Sequence, residues 1–254
     1  MSSLALTCLD TARLPRYVVG MKSLDLFSCI GCHALGFERA GIDPVALCEV
    51  DEWRRGILAR NFPGVPIHDD ICTMQPIAAD IAFGGPPCQG TSVAAAIHGC
   101  RDGRSLAGEM LRVAALCEWV VVEQPPGNKE WEKSVSRMLA GTGRHVARVE
   151  FAARDVGAPY PRRRVYFMAC ASLPRLEIAW LAVQQEVERA KRAADAGAAW
   201  RADQLAAIPV VARAAGDMDR GPRSAERKRR IEALGDSNPP QMAEVIGRAI
   251  LAAA

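Results

Sequence analysis

The sharpest chemistry in the sequence lies in Gly84–Ser92, GGPPCQGTS. An apolar run, ADIAFGG, ends in two glycines, two prolines follow, and Cys88 comes next at what would be the edge of a sheet. Two prolines before a cysteine reduce the entropy of the loop and fix the direction of the sulfur. A structural cysteine needs no such preparation, whereas a nucleophile does. A second Pro–Pro pair follows Glu123 in VVVEQPPG. A carboxyl group held there could protonate a bound ring; the plainer alternative is a charge at a strand end that faces water. In PRRRVYF, strand alternation sends Arg162 and Arg164 to one face and Arg163 to the other. Two guanidiniums on one face suit a phosphate and a carbonyl oxygen, and the alternative is a solvated edge.

A second group of residues suits ligand binding. DLFSCIGC joins an expected strand to an expected helix, so its amides face the carboxyl edge of the sheet, where open α/β sheets bind ligands. Asp25 and Phe27 flank this turn. Glu49 ends the next strand about 20 residues on, a spacing at which an acid can accept both hydroxyls of a ribose. Asp70 follows the third strand and could accept from an adenine amine. Three acids at successive strand ends beside a glycine turn point to an adenosine-containing ligand. The same turn holds CIGCH, Cys29 to His33, which has the spacing of haem attachment or a redox pair. Haem attachment requires export, and one CxxC supplies only half of a four-ligand zinc site. The expectation is small turn residues beside a helix, and no metal.

The elements that must position these residues are readable from about Ser23 onward. SLDLF, VALCEV, VPIH, ADIAFGG, CEWVVVEQ, RVEFAA and RVYFMAC read as strands. HALGFERA reads as a helix stopped by Gly41, and DEWRRGILARNF as a helix capped by Asp51 and ended by Pro63. Strand–helix alternation predicts an α/β fold, a mostly parallel sheet with helices on both faces. From Ala169 to Gly216 alanine makes up about a third of the residues and charges of both signs interleave, which predicts one or two helices with solvated faces. RIEALGDSNPPQMAEVIGRAIL predicts a last helix that packs back on the sheet.

A chain of 254 residues, 50% hydrophobic and 24% charged, can bury a full core and is neither fibrous nor wholly disordered. Its apolar runs are too short to span a membrane, and its first residues lack the pattern of a secretion signal. Nine cysteines at irregular spacing then read as reduced thiols in the cytoplasm. The net charge is only +3, yet seven Arg or Lys face three acids between Arg213 and Arg230. Such a patch suits a polyanion bound at one face, or a solvated helix surface.

The order of these motifs resembles that of the cytosine-5 DNA methyltransferases, in particular the short bacterial and phage forms. The resemblance spans Ser23–Ala169 and returns at Arg230–Leu251. It implies a Rossmann-like methyltransferase fold, S-adenosyl-L-methionine as cofactor and DNA as partner, with Cys88 as nucleophile, Glu123 as acid, and Arg162 and Arg164 facing the target cytosine. The implied cofactor residues are Asp25, Leu26, Phe27, Ser28, Gly31, Glu49, Val50, Asp70, Ile71, Pro87, Leu106, Asp236 and Ser237. Gln89 and Ser92 join Arg162 and Arg164 as nucleic-acid contacts. It also implies a division into an extension (1–22), a catalytic domain (23–168), a reduced helical insert (169–222) and a returning segment (223–254).

The sequence departs from the family pattern at several points. Cys29 and Cys32 replace glycines, Gln124 and Asp236 replace asparagines, and Tyr160 replaces a glutamine. No substantial target-recognition domain is evident, which leaves room for a partner subunit. Gln184, Gln185 and Arg201 are the few candidates for reading bases, so a short or relaxed sequence context is expected. An RNA cytosine-5 methyltransferase, or a non-catalytic descendant that binds nucleic acid, would share much of this pattern.

Overall fold

The computed structural model describes residues 20–87, 103–195 and 225–254. Cys88, Gln89, Ser92 and Arg201 lie outside the described residues, as does most of the basic Arg213–Arg230 stretch.

The expected strands form one sheet. They are β1 (Lys22–Leu26), β2 (Asp43–Cys48), β3 (Ile67–His68), β4 (Ile81–Gly84), β5 (Trp119–Gln124), β6 (His145–Ala152) and β7 (Arg163–Cys170), in the order β3-β2-β1-β4-β5-β7-β6. Strands β1 to β5 pair in parallel, and β7 runs antiparallel between β5 and β6. The strand order reverses direction between β1 and β4, the topological switch at which such sheets open a ligand crevice beyond their carboxyl ends.

Both faces of the sheet are buried, which is why β4, β5 and β7 read as continuous apolar runs. Phe83, Trp119, Val121, Tyr166 and Met168 point to one side, and Ala82, Val120, Val122, Val165 and Phe167 to the other. The first side is covered by α1 (Cys32–Ala40), by α5 (Leu173–Asp195) and by α7 (Pro240–Leu251), as Phe37, Val183 and Ile246 show. The second is covered by α3 (Gly103–Val113) and α4 (Lys129–Ala140), through Met110, Val135 and Leu139. Helix α2 (Glu52–Asn61) follows β2, and α6 (Ala225–Asp236) precedes α7.

The end signals act as expected. Gly41 stops α1 in the left-handed region, and Asp51 Oδ1 accepts from the Arg54 amide at the start of α2. Helix α1 has no side-chain cap of its own at Gly31. Asp25 Oδ2, reaching across from β1, accepts from the Ala34 amide at 3.1 Å and satisfies one of the free amides of its first turn.

The described structure departs from the expected outline in three places. Met21 is in the core and Lys22 begins β1, so the fold starts before Ser23. Helix α5, read as part of an insert with solvated faces, packs Leu176, Ala179, Val183 and Val187 against the sheet, a stripe at helical spacing. It covers β6 and β7, so packing does not break at residue 168. Arg162 precedes β7 at φ 25° and is not a strand residue, so strand alternation does not set its direction.

Candidate active site

The turn after β1 is built by its own polar side chains. Ser28 Oγ donates to Asp25 O at 2.6 Å and accepts from the Cys48 amide at 3.1 Å, stitching the ends of β1 and β2 together. Phe27 and Cys29 take positive φ values of 61° and 51°. Gly31 has φ 86°, and a Cβ there would lie 2.3 Å from the Phe62 ring, so only glycine fits. Asp25 and Leu26 are fully buried beneath this turn. The Phe27 ring is half-buried and packs in one cluster with Ile71 and Leu106, which brings together three residues expected at the cofactor.

Glu49 closes the neighbouring edge. Its Oε2 accepts from the Cys29 amide at 2.7 Å and its Oε1 from the Asp51 amide at 2.9 Å. Burial pushes its pKa above the ordinary 4.5, opposed by those two amides and by the Arg54 charge. Each oxygen retains lone pairs for hydroxyl donors. Val50 is half-buried next to it. Asp70 follows β3, and its Oδ1 accepts from the Cys72 amide at 2.8 Å. Burial also raises the Cys29 and Cys32 thiols, to about 11 and about 12. They are protonated at neutral pH, and no metal-holding cluster occurs among the described residues.

Asp236 and Ser237 reach the site from the far end of the chain. The exposed Asp236 carboxylate pairs with Arg54 at 2.6 Å. Ser237 is buried, with Oγ donating to Ala233 O at 2.8 Å and lying 3.3 Å from the Cys29 sulfur. The sequence thus brings Ser237 under the β1 turn, whereas Asp236, the last residue of α6, turns outward to Arg54 of α2.

The second half of the site lies at the end of β5. Glu123 and Tyr166 are direct partners across β5 and β7, and Arg164 stands two residues before Tyr166 on the same face. Arg164 Nε approaches Glu123 Oε1 at 2.6 Å, and both side chains are largely buried. The root of the Cys88 loop runs against this pair. A Cβ on Gly85 would lie 2.8 Å from Glu123 Oε2, so glycine is what lets the loop leave β4 there. Gln124 Nε2 donates to Pro86 O at 2.7 Å and ties the same loop to β5; Pro87, half-buried, is its last described residue. Arg162, whose charge is felt by Glu123 and Arg164, donates from Nε to Asn238 Oδ1 and from Nη2 to Gly235 O, both at 2.8 Å. Arg163 pairs with Glu150 and stays exposed.

Sequence reasoning missed His33 and Asn238 as organising residues, and it met Gln124 only as a replacement for an asparagine. His33 drew attention only through its spacing from two cysteines. A buried polar residue early in a helix beside a sheet was the usable signal.

An open, mostly parallel sheet with this strand order and helices on both faces is the Rossmann-like α/β fold. The profile of the family described as C-5 cytosine-specific DNA methylase matches residues 21–196, and the chain belongs to that family. It is similar to the type II methyltransferase M2.BsuMI of Bacillus subtilis, 31% identical over 59% of this chain and 42% of that one. It is also similar to the type II methyltransferase M.AquIA of Picosynechococcus, 30% identical over 58% of this chain and 71% of that one. The fold is shared with an E. coli prophage protein described as a DNA modification methyltransferase, at 24% identity and a TM-score of 0.50, over 59% of this chain and 47% of that one. The chain therefore spans less than half the length of the Bacillus relative and of the prophage protein. No helix among the described residues is long and apolar enough to cross a membrane.

Proposed function

We propose that this chain transfers a methyl group from S-adenosyl-L-methionine to carbon 5 of cytosine in DNA through a covalent Cys88 adduct. The observation that carries the reading is the position of the Glu123–Arg164 pair against Gly85, three residues before Cys88.

The β1 turn fits an adenosine. It offers a half-buried aromatic ring at Phe27, paired acceptors at Glu49 for ribose hydroxyls, and a carboxylate at Asp70 for an amine. Ile71 and Leu106 supply the apolar wall, and Ser28 and Gly31 shape the turn. Val50, Pro87 and Ser237 complete the set of residues that the family resemblance assigns to the cofactor. When bound, the cofactor supplies an electrophilic methyl group.

The chain's own groups do the rest. A stacked cytosine cannot be reached, so the base is flipped into the site. The Cys88 thiolate attacks carbon 6 of the ring while Glu123 holds a proton at nitrogen 3. That makes carbon 5 nucleophilic. Arg164 steadies the cytosine carbonyl and Arg162 the neighbouring backbone, with Gln89 and Ser92 on the same loop as Cys88 touching the DNA. Loss of the proton from carbon 5 then expels the sulfur. Gln184 and Gln185 are exposed on α5 but few in number, which supports a short or relaxed sequence context unless a partner subunit supplies recognition.

The test is incubation with methyl-labelled cofactor and DNA carrying 5-fluorocytosine, with an RNA arm in parallel. Fluorine cannot leave as the proton does, so the wild type becomes trapped in a denaturation-resistant adduct and Cys88→Ala does not. An adduct in the alanine variant, or label in RNA alone, sinks this reading.

A further inference from the structure

Between the sheet and helices α1 and α7, polar side chains from three distant stretches of chain meet in an otherwise apolar layer. Arg162 Nε donates to Asn238 Oδ1 at 2.8 Å. Asn238 is 2% exposed, and its Nδ2 lies 3.4 Å from His33 Nε2. His33 is buried too, with its ring 4.5 Å from that of Phe83 and its Nδ1 3.8 Å from Asp25 Oδ1. That carboxylate oxygen is buried and has no hydrogen bond. The proposed reaction uses neither His33 nor Asn238.

Donor and acceptor types fix how these groups are arranged. A guanidinium only donates, so Asn238 must turn its oxygen to Arg162. Its amide nitrogen then faces His33 Nε2, which must accept and carries no proton. The ring proton belongs on Nδ1, on the side of the Asp25 carboxylate. Reversing the Asn238 amide would set donor against donor at Arg162. An apolar residue at 238 would leave the Arg162 Nε–H without its acceptor.

Arg162 has reasons to need such a support. It sits at φ 25° just before β7, with a long side chain that is only half-buried. Burial lowers its pKa, and so does the like charge of Arg164. Left to itself the guanidinium would turn toward water, away from its neighbour.

We infer that Asn238, oriented by His33, is a positioning residue for Arg162 and holds its guanidinium in reach of the Glu123–Arg164 pair. The inference rests on the proposed reading, in which Arg162 acts on the target nucleotide. His33 Nδ1 faces Asp25 Oδ1 at 3.8 Å, so the same support lies beside the turn that is proposed to hold the cofactor.

The test measures kcat, KM for DNA and calorimetric S-adenosyl-L-methionine affinity in Asn238→Leu, Asn238→Asp, Arg162→Ala and the double variant Asn238→Leu/Arg162→Ala. Asn238→Leu lowers kcat about tenfold while cofactor affinity stays within about twofold, the split expected when only a reacting-side interaction is lost. Asn238→Asp keeps an oxygen for Arg162 and recovers most of that loss. The double variant is no slower than Arg162→Ala alone, because the effect runs through Arg162. Losses that multiply, or a loss of cofactor affinity at unchanged kcat, overturn the inference. Nitrogen-15 NMR of His33 in the wild-type protein decides it even where a variant fails to fold: the proton must be on Nδ1, and a proton on Nε2 overturns it. A wild type that methylates neither DNA nor RNA sinks the functional reading instead, and the NMR result then decides the arrangement by itself.

Discussion

Glu49 and Glu123 end two strands of one sheet, β2 and β5, and the protein holds them by different means. Glu49 is gripped by two backbone amides, from Cys29 and Asp51. Glu123 is held by a guanidinium, from Arg164. Burial raises the Glu49 pKa, and the two amides and the Arg54 charge oppose that rise without cancelling it. The Glu49 oxygens keep lone pairs for further donors, the role proposed for it toward ribose hydroxyls. The Glu123 carboxylate instead has one oxygen turned to a cation and the other against the root of the Cys88 loop. Of the two acids, one is fixed by backbone amides and the other by a side-chain cation, which matches the division of labour proposed for them.

The contrast predicts effects of different size and kind. Glu123→Gln keeps the shape and removes the acid, so methyl transfer falls by about 10²–10⁴-fold, the usual span for losing a general acid. Calorimetry should show S-adenosyl-L-methionine binding unchanged in that variant; a comparable loss of cofactor affinity would erase the distinction between the two acids. Glu49→Ala has the opposite signature. Cofactor affinity weakens by about 1.5–3 kcal/mol, the scale of hydrogen bonds to a charged group, while turnover at saturating cofactor is largely kept. Phe27→Ala, on the same side of the site, costs about 1–3 kcal/mol of cofactor affinity through lost apolar and ring contact. Equal kcat losses in both variants would show that the two regions do not divide the work.

The smallest effect is in pH. Because the folded Glu49 has a pKa raised above 4.5, the native state binds more protons than the unfolded chain in the window just above that value. Stability therefore falls as pH rises through the window, and Glu49→Gln flattens that part of the profile. Cofactor affinity moves the other way, rising with pH as the carboxylate ionises and accepts hydroxyls. Parallel urea and calorimetric titrations of the wild type and Glu49→Gln check both slopes.

The strands, the Asp51 cap and the Gly41 stop were legible because each depends on a few neighbouring residues. The acids at strand ends were legible for the same reason. What escaped were features set by distant residues. His33 and Asn238 meet across 205 positions, and nothing near either one announces the other. Helix α5 hides four core positions in a composition dominated by alanine and charge. Strand parity paired Arg162 with Arg164, but parity does not extend to a residue that precedes the strand at positive φ. Asp236 was expected at the cofactor, and its pairing with Arg54 depends on where α2 sits.

The turn after β1 is also finished late in time. Cys29 Sγ contacts Ala233 O, 204 positions along the chain, and α1 is covered by α7. During synthesis from the N-terminus, Phe37 and Ile42 wait for Met242, Val245 and Ile246 to emerge before their side of the core closes. Contacts of such long separation form slowly, and the apolar surface they leave open is where a nascent chain sticks to others. A ribosome stalled before α7 therefore carries a chain that has all seven strands but leaves the part of one sheet face that α7 covers exposed. Chaperone demand should peak at that point of translation.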